Sequence, residues 1–147
     1  MPPPLSMPPS WRGFSVPQSA LLGPDAAARM QQLLDRLTAI DRAFLSQRPD
    51  APWLYASGVR YVSETDDPYW YSAPEALLRG RADCADLAPW RAAELQARLG
   101  ESARAFAVAS HLPSGDVLYH VLVRRASGQV EDPSCALGMG GSCRVTW

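Results

Sequence analysis

Three side chains in this sequence can do nucleophilic chemistry together: Cys84 in GRADCADL, His120 in LYHVLV and Asp132 in QVEDPS. A thiol must give up its proton to attack a carbonyl carbon, and a helix N-terminus favours the resulting anion. An imidazole beside the sulfur takes that proton, and a carboxylate behind the imidazole fixes its tautomer. Each residue also has a plainer reading. Cys84 would serve as a small buried hydrophobe, His120 as a core histidine, and Asp132 as the start of an Asx turn before Pro133 and Ser134. Three such coincidences in the order Cys-His-Asp, with a helix start and a hairpin in the right places, weigh more as a triad.

The elements that must position them follow from periodicity. Apolar residues Met30, Leu33, Leu34, Leu37, Ile40, Phe44 and Leu45 recur at three and four, which predicts one long helix from Pro24 or Asp25 to about Gln47. Gly58 to Ser63 reads as a short strand, and Asp66-Asp67-Pro68 as a turn. Ser72, Pro74 and Glu75 open a short helix by a capping box, and Gly80 closes it. A further helix is expected from about Asp86 to Leu99. Asp86 as its N-cap leaves Cys84 just outside and puts Pro89 where no intrahelical donor is needed. Three strands are expected at Ala103–Ala109, Val117–Arg125 and Gln129–Asp132, the last two joined at Ser127-Gly128. With that turn centred between positions 126 and 128, His120 falls opposite a residue between 132 and 136, at or near Asp132. Helices first and an antiparallel meander after them make an α+β arrangement.

Composition narrows the function. The chain has 147 residues, 47% apolar and 20% charged, enough for one globular domain with a core. All 14 basic residues are arginine, so chemistry that needs a lysine amine (P-loop phosphate binding, Schiff bases, Ser-Lys dyads) is excluded. A net charge of −1 offers no electrostatic footprint for nucleic acid or an anionic membrane. No run is apolar enough for a membrane span, and MPPPLSMPPSWRGF lacks the layout of a secretory signal. Residues 1–23 hold six of the 14 prolines and read as an arm ahead of a single domain at 24–147. The arm is either a loose tail or a clasp on a neighbouring molecule, with Trp11 and Phe14 as anchors. If two of the three cysteines pair, Cys135 and Cys143 are the couple and Cys84 stays free; three thiols in a reducing compartment fit equally. His111 stands beside a Pro-Ser-Gly turn, and a zinc site from His111, His120, Cys135 and Cys143 matches no ligand spacing. The Gly138–Gly141 stretch follows a Met rather than leading a helix, so it is no phosphate cradle, and no metal or cofactor is expected.

The runs GRADCADLAPWRAAEL, YHVLVRRASGQVEDPS and LGM, within residues 80–139, resemble the transglutaminase-like branch of the papain-type cysteine enzymes, in particular small bacterial and bacteriophage members. The resemblance implies N-terminal helices packed on a small antiparallel sheet, with Cys84 as nucleophile, His120 as general base and acid, and Asp132 as the orienting carboxylate. Ala82 and Ala85 stand where the family commonly carries a glycine and an acidic residue. Family members are peptidases, amidases or acyl-transferring cross-linkers; some have lost activity, and bacteriophage members can be virion components. The expectation is a thiol acyl-transfer enzyme acting on a peptide or protein amide, in a bacterial cytoplasm or a phage particle. The alternative is a structural component of a virion or other assembly, held by the Pro-rich arm. For the oxyanion, the Cys84 N–H is one candidate donor. The second donor is unassigned, with Tyr69, Trp70 and Tyr71 the aromatics able to line that place.

Overall fold

The computed structural model describes residues 7–64 and 67–139. The expected pairing of Cys135 with Cys143, the first prolines of the arm, the end of the Gly-rich tail and Asp66 of the expected turn lie outside the described residues. The chain is mixed helix and sheet: α1 (Ala26–Gln47), α2 (Ala73–Arg79), α3 (Cys84–Leu99) and α4 (Pro133–Ala136) alternate with seven strands. Strands β5 (Arg104–His111), β6 (Val117–Arg124) and β7 (Val130–Glu131) form an antiparallel sheet in the order β5-β6-β7. Four short strands build two further pairs, β1 (Phe14–Ser15) antiparallel to β3 (Tyr69–Trp70) and β2 (Arg60–Tyr61) parallel to β4 (Arg81–Ala82).

Helix α3 is the centre of the molecule. From Ala85 to Leu95 every residue but Arg91 is buried, so the helix has no solvent face over most of its length. One side packs Ala88, Ala92 and Leu95 against Met30, Leu34 and Leu37 of α1 and Val121 and Val123 of β6. The other packs Leu87, Trp90 and Ala93 against Phe44, Leu45, Leu54 and Ala76. Alanine at five places in α3 lets the neighbouring helix and sheet approach closely while keeping helix propensity high. Glu94, wholly buried in that environment, is satisfied by the Leu54 N–H at 2.9 Å and by Arg91 at 2.7 Å.

Residues 7–23 pack on their own chain. Trp11 meets Phe44 edge-on at 5.1 Å, Phe14 stacks beside Trp70 at 6.0 Å, and Val16 is buried in the core. The two anchors expected of a clasp are therefore engaged in cis. The Gly13 N–H donates to Glu75 Oε1 at 2.7 Å; the same oxygen takes the Ser72 N–H at 2.9 Å as half of the capping box that opens α2. A Cβ at Gly13 would stand 1.8 Å from the Trp70 carbonyl oxygen, so only glycine permits β1 to lie against β3. Gly13→Ala is expected to displace β1 and to cost about 1–3 kcal/mol, measured as a lower urea midpoint. An unchanged midpoint would mean that this segment lies outside the cooperative fold.

Candidate active site

Strand β4 leads the chain into Cys84. It is held in place by β2, with Tyr61 opposite Ala82 and the Val62 N–H donating to the Ala82 carbonyl at 2.8 Å. Helix α3 then starts at Cys84 itself. Asp83 is the N-cap, accepting from the Ala85 N–H at 3.0 Å, and Asp86 closes a capping box by accepting from the Asp83 N–H at 3.0 Å. The N-cap is thus Asp83, three residues before the expected Asp86. Pro89 sits inside the helix, where its missing donor leaves the Ala85 carbonyl without its helical partner. The reciprocal cap, with Asp86 also taking the Tyr71 N–H at 2.7 Å, outweighs that loss. Cys84 therefore occupies the first turn, and among the described residues its own N–H donates to no acceptor.

The sheet supplies the other two groups. The β6–β7 register pairs Val123 with Glu131 and Arg124 with Val130, which centres the turn at position 127, as the hairpin reading requires. The ladder ends at Glu131, and Asp132 turns out of it to cap α4, its Oδ1 accepting from the Cys135 N–H at 3.2 Å. Its Oδ2 stands 2.9 Å from His120 Nε2, with both side chains mostly buried. The next residue of β6, Val121, donates its backbone N–H to the Cys84 sulfur. Asp132 thus touches His120 and lies near enough to Cys84 for its charge to act on the thiol, where the start of α3 approaches β6. Cys84 is a free, half-buried thiol. His111 lies at the exposed far end of β5, opposite Val117, and takes no part.

The electrostatics run against a resting thiolate. Burial pushes the Cys84 thiol up to about 12, helped by the charges of Asp83, Asp86 and Asp132; the Val121 N–H pulls the other way without prevailing. The helix dipole alone would lower it, so desolvation and three carboxylates win. Behind the sulfur, carboxylate oxygens of Glu64, Asp83 and Asp86 lie within 4.8 Å of one another. Both Glu64 oxygens are already taken by the Arg79 guanidinium, which also lies 3.7 Å over the Tyr71 ring. Burial raises Asp83 to about 6 and raises Asp86 well above the usual carboxylate range, the second also through the charge of the first.

The aromatic trio proves to be committed elsewhere. Tyr69 donates its hydroxyl to Glu75 at 2.7 Å, Tyr71 donates to Asp67 at 2.7 Å, and Trp70 is buried against Phe14. Tyr61, which the sequence did not single out, stands in the site instead. Its N–H donates to the Leu137 carbonyl at 3.0 Å, and its phenol lies near enough to Cys84, Asp83 and Asp132 to feel all three. Nothing in GVRYVS distinguishes Tyr61 from an ordinary strand aromatic; only the β2–β4 register brings it here.

No protein-family model matches the chain, and neither does any curated protein or solved structure.

The raised thiol makes a definite pH dependence. Iodoacetamide labelling of Cys84, read by peptide mass spectrometry, should be slow at neutral pH and still climbing between pH 9 and 11. Asp83→Asn keeps an N-cap and removes a charge beside the sulfur, so labelling at pH 9 should quicken several-fold. Folding favours the protonated thiol, so that contribution to stability is complete below the ordinary thiol range and fades as pH rises towards 12. The urea midpoint of the wild type should accordingly fall more steeply above pH 9 than that of Cys84→Ala.

Proposed function

We propose that the protein is a thiol acyl-transfer enzyme of the papain or transglutaminase-like kind, acting on a peptide or protein amide. The observation that carries this reading is the His120–Asp132 contact of 2.9 Å, one residue along β6 from the amide that holds the Cys84 sulfur. Asp132 binds Nε2, which assigns Nδ1 to proton exchange with the thiol. Because the thiol rests protonated, the proton leaves as the sulfur attacks, and His120 acts as a general base rather than as half of a standing ion pair. The S–C bond forms as the carbonyl π pair moves to oxygen. Collapse of that adduct restores the carbonyl and breaks the C–N bond, with the His120 proton going to the departing amine. Water or a second amine then resolves the thioester, giving hydrolysis or transamidation. A chain without lysine is no lysine donor to itself, so any cross-linking amine comes from another molecule.

The rival reading, a structural part of a bacteriophage virion or other assembly with weak or lost catalysis, is supported by the arm as a clasp, the small size, the lack of obvious substrate-cleft elements and the bacteriophage members of the family it resembles. Trp11 and Phe14 are spent within the chain, which leaves the triad as the stronger support. Release from a panel of peptide p-nitroanilides, with and without an added amine, tests the choice. Cys84→Ala should abolish turnover, and His120→Ala should lower it by about 10²–10⁴-fold. Asp132→Asn retains the cap on α4 and should lose rate with the fold intact. Turnover that survives Cys84→Ala sinks the enzyme reading, as does a wild type whose Cys84 takes no acyl group from any activated ester.

A further inference from the structure

Resting on the acyl-transfer reading, we infer that Tyr61 is a catalytic residue, its phenol donating a hydrogen bond to the oxyanion formed when Cys84 attacks a carbonyl. The placement comes from the strand pairs. Tyr61 is in register with Ala82, two residues before the nucleophile, and its backbone is tied to Leu137 just after α4, the helix that Asp132 caps. One short strand therefore lies between the segment that carries the sulfur and the segment that carries the carboxylate. The phenol is half-buried, and the Ser63 side chain lies near enough to act on it. Burial, together with the negative charge that Cys84 can bear, keeps the phenol protonated, so it acts as a donor at any working pH.

The site needs such a donor more than most. Asp83, Asp86 and Asp132 already make it hard to place negative charge on sulfur, and an alkoxide one bond further on meets the same field. The Cys84 N–H, without an acceptor among the described residues, is one counterweight. A second is required, and the other aromatics nearby have given their donors to Glu75 and Asp67 or lie in the core. In the adduct the thiol proton is on His120, the former π pair is on oxygen, and Tyr61 keeps its proton while sharing it.

Two reactions at the same sulfur separate this role from mere support of the fold. Acylation by p-nitrophenyl acetate passes through an oxyanion, whereas alkylation by iodoacetamide does not. Tyr61→Phe should slow Cys84 acylation by roughly 10²-fold and leave alkylation within about twofold of wild type. Ser63→Ala, at an exposed position, should act in the same sense by a few-fold and serves if Tyr61→Phe does not fold. Unchanged acylation, or equal loss in both reactions, overturns the assignment of Tyr61 while the acyl-transfer reading stands. A wild-type Cys84 that alkylates but never acylates overturns both.

Discussion

The arrangement depends on one buried carboxyl, Asp86. It lies in the first turn of a helix that has almost no solvent face, and its two oxygens hold the backbone of Tyr71 and of Asp83. Those two bonds fix where α3 begins and how β3 and β4 approach it, and so where Cys84 points. Burying a carboxyl is expensive unless it is hydrogen-bonded or neutralised, and here two backbone N–H groups meet its oxygens while burial favours the neutral form. The same solution recurs at Glu94, which holds Leu54 and Arg91, and at Asp41, fully buried, which takes the Ala73 N–H at 2.7 Å and is itself pushed well up by burial. Three acidic groups, each the anchor of a neighbouring loop or helix, take the place of longer strands in tying the layers together.

Much of the frame was legible because it depends on local signals. The α1 stripe, the Ser72–Glu75 capping box, Gly80 as a left-handed stop and the Ser127-Gly128 turn all act within a few residues, and each stands where its pattern put it. The closeness of His120 and Asp132 was legible for the same reason, since two strands joined by a three-residue turn have little freedom of register. The start of α3 was misjudged because Pro89 is a local signal and the Asp86–Tyr71 bond is not. Helix rules penalise an inner proline, but they cannot see an N–H arriving from fifteen residues upstream. Tyr61 was illegible altogether, since a parallel pair of two-residue strands leaves no periodicity to read.

An all-arginine basic complement also acquires a structural meaning. Arg79 spans Glu64 while lying over Tyr71, Arg91 joins Glu94 and Glu131 while facing Tyr55, and Arg125 bridges Glu101 and Glu131. A planar guanidinium can bind a carboxylate with its edge and an aromatic ring with its face, which an ammonium cannot do. These pairs tie the site's periphery to the sheet, and Glu131 is the residue just before the candidate orienting carboxylate.

The way residues 7–23 are bound has a consequence for synthesis. A ribosome delivers α1 early, with its apolar stripe complete, yet Phe14 must wait for Trp70, Gln31 for the Ala105 carbonyl and the sulfur for Val121. Little can close until β6 has emerged, so the nascent chain carries an unshielded helix through most of its translation. The thiol, in turn, gains the Val121 N–H only in the last stage of assembly. The order of the elements along the chain therefore sets how long that apolar stripe stays uncovered.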